Sequence, residues 1–112
     1  MTFWIRAYDG ENDRWSFFEL DDDEWPLRQV DFQGPRRHPV TAASMAEIAD
    51  LHARGDFAVM RAYERRYGVL VEGDMRGWQE EEEATRIGLS AFEEAWAAAR
   101  EALDVPRAQE TG

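Results

Sequence analysis

Phe18-Glu19-Leu20-Asp21-Asp22-Asp23-Glu24-Trp25-Pro26-Leu27-Arg28-Gln29-Val30-Asp31-Phe32 decides the fold of this chain. From Leu27 onward, Arg28, Val30 and Phe32 alternate with Leu27, Gln29 and Asp31, the period-two pattern of a strand in a sheet with one wet face. Upstream, Arg14 to Leu20 is an aromatic run that reads as a second strand, so Asp21 to Pro26 is the acidic connection between two antiparallel neighbours. Phe3 to Tyr8 has the same character, and Asp9-Gly10-Glu11-Asn12-Asp13 supplies the Asp, Gly and Asn that a tight hairpin requires. Three strands in a meander follow.

Beyond Phe32 the period changes. Gly34-Pro35-Arg36-Arg37-His38-Pro39 punctuates the chain, because two prolines so close can join neither a central strand nor a helix interior. Ser44 with Glu47 has the form of a capping box, and Met45, Ile48 and Leu51 follow at helical spacing until Gly55 supplies a stop. Phe57, Met60, Tyr63 and Tyr67 continue a helical stripe. Gly68 and the β-branched Val69-Leu70-Val71 predict a return to strand. Gly73-Asp74 and Gly77-Trp78 are turn signals, and the like-charge run Glu80 to Glu83 predicts a solvated loop. Ala84 to Leu89 reads as a last strand. Ser90 and Glu93 repeat the capping-box pattern ahead of Phe92, Ala95, Trp96, Ala99 and Leu103, the apolar face of a C-terminal helix ended by Asp104-Val105-Pro106.

The fold class is therefore α+β: an antiparallel sheet of four to five strands with two to three helices packed on one face. With 112 residues and 44% hydrophobic content the chain has material for one core, not two. A single domain over residues 1–106 and a disordered polar tail over residues 107–112 are expected.

Composition narrows the function classes. The absence of Cys excludes a disulfide framework, a thiol nucleophile and a Cys-based zinc site, and fits a reducing compartment. The first residues lack the basic start and apolar stretch of a signal peptide, and no apolar run approaches the ~20 residues that span a bilayer. A cytoplasmic location is the expectation. Every basic residue other than His is Arg, a bias that suggests a GC-rich bacterial genome. Twenty-four acidic against 13 basic residues leave a formal charge of -11, a field that repels nucleic-acid phosphate and anionic lipid and attracts a basic protein partner.

No catalytic constellation stands out. His52 lies on the edge of a helical apolar stripe, His38 lies in a Pro-rich loop, and neither has a partner at metal-ligand or catalytic spacing. Ser16 sits within a strand, while Ser44 and Ser90 read as helix caps. No Gly-rich phosphate loop is present. The expectation is a protein that is not an enzyme and holds neither metal nor cofactor. The acidic clusters are more informative. Asp21, Asp22, Asp23 and Glu24 run into Trp25, and Trp78 precedes Glu80, Glu81, Glu82 and Glu83. Acidic side chains steer a basic partner, and an adjoining Trp can anchor it. These ten residues are the candidate partner-binding set; the bland alternative makes both clusters solvated loops and both Trp core.

The strand, acidic turn and strand from Phe18 to Phe32 resemble a family of small bacterial domains of unknown function. The C-terminal pattern Ile87-Gly88-Leu89-Ser90-Ala91-Phe92-Glu93-Glu94-Ala95-Trp96 is similar to that family's closing strand and helix. The resemblance implies a β-meander with a C-terminal helix, and its contexts imply an immunity protein that inhibits a polymorphic-toxin domain in the cytosol. It carries over no functional residue. Two other classes stay open: a small-molecule-binding module with a pocket lined by Trp15, Tyr63 and Tyr67, and a self-associating structural protein.

Overall fold

The hairpin signals at Asp9 to Asp13 and Asp21 to Pro26 produce the meander they predict. In the computed structural model, which describes residues 1–104, β1 (Phe3–Asp9), β2 (Arg14–Leu20) and β3 (Pro26–Gln33) pair as successive antiparallel neighbours. The predicted tail at 107–112 and the last two residues of the predicted domain lie outside the described residues. Two further strands complete the sheet: β4 (His38–Ser44) pairs with β3, and β5 (Ala84–Ile87) returns to pair with β1, giving the order β4-β3-β2-β1-β5. Three helices, α1 (Met45–Arg54), α2 (Phe57–Tyr67) and α3 (Leu89–Leu103), make the α+β architecture.

Strand β4 runs through Pro39, which the proline argument had placed in a connection. Its position at the sheet's edge resolves this, because an edge strand has one row of backbone groups that need no partner. The register slips between Asp31 and Phe32, so that Thr41 faces Asp31 and Pro39 faces Phe32 with Val40 as the extra residue.

Helix α3 lies across one face. Phe92 and Ala99, both fully buried, meet Val30 and Ala42 of the sheet, with Trp4, Phe17, Phe32, Ile87, Trp96 and Leu103 packed around them. Helices α1 and α2 gather at the β4 edge, where Arg100 of α3 ties them in. Its Nε donates to the carbonyl of Ala42 at 2.9 Å, its Nη1 donates to Glu47 at 3.1 Å, and its guanidinium lies over the rings of Tyr67 and Trp96.

The polar side of β3 is not wet. Gln29 and Asp31 are 6% and 1% exposed, because the chain beyond Gly68 crosses that face, with Val71 bonded to Gln29 and Met75 and Trp78 packed on Ile5, Phe18 and Leu20. A buried carboxylate needs donors. Ser16 Oγ supplies one at 2.6 Å and Gln29 Nε2 another at 2.8 Å, while Gln29 Oε1 accepts the backbone N–H of Val71 at 2.8 Å. The stretch Val69-Leu70-Val71 is not a strand: Leu70 is its buried residue, and the β-branched Val69 and Val71 are exposed.

Of the two caps read from the sequence, Ser44 is borne out and Ser90 is not; the Asp56 cap of α2 is not anticipated there. Ser44 caps α1, accepting from the Glu47 N–H at 3.5 Å. The returning half of the capping box is supplied by Tyr63, whose hydroxyl accepts the Ser44 N–H at 2.8 Å and donates to the Glu47 carboxylate at 2.6 Å. Helix α3 begins two residues earlier than its Ser90 cap would set, at Leu89 with Gly88 as N-cap, so Ser90 sits in the first turn and β5 stops at Ile87. At α2, Asp56 accepts from the N–H groups of Ala58 and Val59 at 3.0 and 3.2 Å. Asp56→Ala is expected to cost about 1 kcal/mol, measured by thermal melting, with faster amide exchange at Ala58 and Val59.

Candidate protein-binding surface

The acidic turn between β2 and β3 is organised by its own first residue. Asp21 Oδ1 accepts the N–H groups of Asp23 and Trp25, both at 2.9 Å, and the Asp21 N–H donates to the Trp25 carbonyl at 3.0 Å. Its carboxylate is thus spent inside the turn, as short acidic side chains commonly are in tight loops. Glu24 takes a left-handed backbone, φ 64°, and buries one carboxylate oxygen without a hydrogen-bond partner among the described residues. Asp22 and Asp23 are exposed, and Asp22 pairs with the N-terminal ammonium. Trp25 is 45% exposed.

Trp78 plays a different part. It opens a short 3₁₀ turn, Trp78–Glu80, and its half-buried ring lies 6.1 Å from that of Phe3, against the second buried cluster of Ile5, Phe18 and Leu20. Packing absorbs this Trp. Glu80, Glu81, Glu82 and Glu83 are all exposed.

Backbone hydrogen bonds link the two acidic stretches. Met75 donates its N–H to the Glu24 carbonyl at 2.8 Å, Trp78 donates to Met75 at 3.2 Å, and Glu81 donates to Trp78 at 3.1 Å. This ladder of backbone bonds runs from the acidic turn to the Glu run. Further along, the Tyr8 N–H donates to the Glu83 carbonyl at 3.2 Å, and Ala7 pairs with Ala84. Between the Glu run and the strands lies a groove of about 590 Å³, lined by Glu80 to Glu83 with Tyr8, Asp9, Ser16 and Phe18. Five carboxylates line it, and no Arg or His does.

Two titratable groups at its end are held by local bonds. Asp9 accepts from the Asn12 side chain at 2.7 Å and from the backbone of Glu11 and Asn12, which together hold its carboxyl below the ordinary range. The Tyr8 hydroxyl donates to Asp13 at 3.0 Å, and that bond raises its pKa. Asp9 therefore stays ionised throughout the physiological range.

Tyr8, Asp9, Ser16 and Phe18 escape sequence reasoning because only the pairing of the first strand with the last places them beside Glu80 to Glu83. The pocket expected from Trp15, Tyr63 and Tyr67 does not assemble. Trp15 packs on Tyr8 with Arg6 and Arg37 over its ring, whereas Tyr63 and Tyr67 pack on each other, 5.0 Å apart, at the α1–α2–α3 junction. Among the described residues, no three His, Asp or Glu side chains converge where they could hold a metal ion, and no helix is long and apolar enough to cross a membrane. Compared with protein-family models, curated proteins and solved structures, the chain matches none.

Proposed function

We propose that this chain is an acidic protein-binding domain of the cytosol, not an enzyme, and that it acts as an immunity protein occluding a basic toxin domain such as a nuclease. The observation that supports this reading above the others is the groove lined by five carboxylates and no cation, on a protein that also exposes Trp25 in its acidic turn. A nuclease must present a cationic surface to phosphate. A rim of solvated carboxylates matches such a surface in sign, speeds encounter, and leaves Trp25 to supply apolar contact. The net charge of -11 reinforces the steering over longer range.

Affinity capture from the native host, washed at low and then high salt, tests the reading. A basic partner that dissociates with salt is expected. Reversing Glu81, Glu82 and Glu83 to Arg should then weaken that partner's affinity at least about tenfold at low salt, chiefly through slower association, with thermal stability unchanged because all three side chains are exposed. Binding that is indifferent to both salt and charge reversal would sink the proposal.

A further inference from the structure

A second cavity lies away from the acidic groove, where α1, α2 and the Gly68 to Glu72 segment meet. It is about 100 Å³ in volume. Met45, Ile48 and Leu51 of α1, Met60 and Tyr63 of α2, and Leu70 form its walls. Leu70 is 3% exposed and forms the floor, whereas Met45 and Val69 are 36% and 60% exposed at the mouth. Neither α1 nor α2 fully buries any side chain, so two amphipathic helices meet over a space that no residue fills. Close-packed interiors leave few such gaps.

The polar groups at the mouth define the occupant. The Tyr63 hydroxyl is already committed to Ser44 and Glu47. What remains is Glu64, Glu72 and the exposed His52. Neither glutamate has an ion-pair partner among the described residues. An apolar floor beneath two carboxylates suits a ligand with a hydrocarbon body and a cationic head. An apolar cavity of about 150 Å³ takes benzene; this one, smaller and open, fits a body of about four or five carbons. The two methionines supply walls that adapt to its shape.

We propose that this cavity binds a small alkylammonium compound, its chain against Leu70 and its ammonium group between Glu64 and Glu72. The polarity of the site separates this ligand from a partner's lysine. A lysine side chain would enter ammonium first and bring its charge to the apolar floor, whereas a free amine enters tail first.

The test is titration of the protein with n-butylammonium, 1-butanol and N-acetyl-lysine methylamide, followed through the methionine methyl resonances. Butylammonium should bind in the millimolar range and shift Met45 and Met60, leaving Met1 and Met75 in place, since Met75 packs away from the cavity, with Phe3 and Trp78 against Ile5, Phe18 and Leu20. It should bind roughly three- to tenfold more tightly than butanol at low salt. The Glu64→Gln/Glu72→Gln double variant alters only exposed side chains and should erase that preference while retaining butanol binding. Equal affinity for butanol in the unmodified protein would overturn the cationic reading. Binding of the lysine amide as tight as that of butylammonium would overturn the tail-first orientation, and unmoved Met45 and Met60 resonances would overturn the site.

Discussion

Gly68→Ala is expected to lower the melting temperature by about 12 °C, the effect of a loss of about 3 kcal/mol in a domain of this size. Two independent costs combine. Gly68 has φ 81° and ψ -169°, a region open to glycine and closed to side chains, which alone costs an alanine of order 1–3 kcal/mol. A Cβ there would also stand 2.7 Å from Thr41 Oγ1 and 3.0 Å from its Cβ and Cγ2. Thr41 is 6% exposed in β4 and cannot withdraw. The chain bends at Gly68 to leave α2 and cover the second face of the sheet, seating Leu70 and delivering the Val71 N–H to Gln29. Displacing it strips cover from the buried Gln29 and Asp31. Adding Thr41→Ala to Gly68→Ala separates the causes: it relieves the contacts with Oγ1 and Cγ2 and leaves the backbone cost, so about half of the loss should return. A Gly68→Ala protein that melts within 2 °C of the parent would show that the segment is not pinned at this point.

The same segment shows where sequence reading reaches its limit. The alternation through Arg28, Val30 and Phe32 identifies the face that meets α3, because periodicity reports which side chains share a side. It cannot report what covers the other side. Gln29 and Asp31 read as solvent-facing, yet they are buried by a stretch some forty residues later that has neither a helical stripe nor a strand partner. β4 is obscured for a related reason: Pro39 argues against a central strand, and only the sheet order reveals that this strand is at the edge. At the candidate site, the charge of Asp22, Asp23 and Glu80 to Glu83 is visible in the sequence as unbroken acidic runs. The link between them runs through the backbone of Met75 and Trp78, and the groove beside Glu80 to Glu83 forms only where β1 pairs with β5. Composition can name such residues but cannot bring them together.

Removing the Arg28 guanidinium produces the second large effect. Arg28 donates from Nε to Glu19 Oε1 at 2.9 Å and from Nη2 to Glu19 Oε2 at 2.8 Å, reaches Glu93 on α3, and lies over the rings of Phe92 and Trp96 at 4.8 and 5.0 Å. The side chains of Arg28 and Glu19 are 19% and 14% exposed. Arg28→Met keeps most of the stem and leaves Glu19 with Trp4 Nε1 as its remaining donor at 2.9 Å, an uncompensated charge that should cost about 3–4 kcal/mol at pH 7. Arg28→Lys keeps the charge but loses the fork, and should fall between. Glu19→Gln together with Arg28→Met removes the stranded charge and should regain at least half of the loss.

The pH dependence gives a sharper test than the magnitude. In the native protein the hydrogen bonds from Arg28 hold the Glu19 pKa below the usual 4.5, against the opposing effect of burial. A depressed carboxyl stabilises the fold fully above its unfolded value, and the contribution fades as pH falls through the folded one. In Arg28→Met burial acts unopposed by the cation and raises the same pKa, so the variant sheds its stranded charge by taking up a proton as the solution is acidified. The stability gap between the two proteins should therefore be widest near neutrality and narrow steadily below pH 5. Urea unfolding at intervals from pH 7 to pH 3 measures that gap. A constant gap would assign the contribution of Arg28 to its packing on Phe92 and Trp96, with the ion pair contributing nothing to stability.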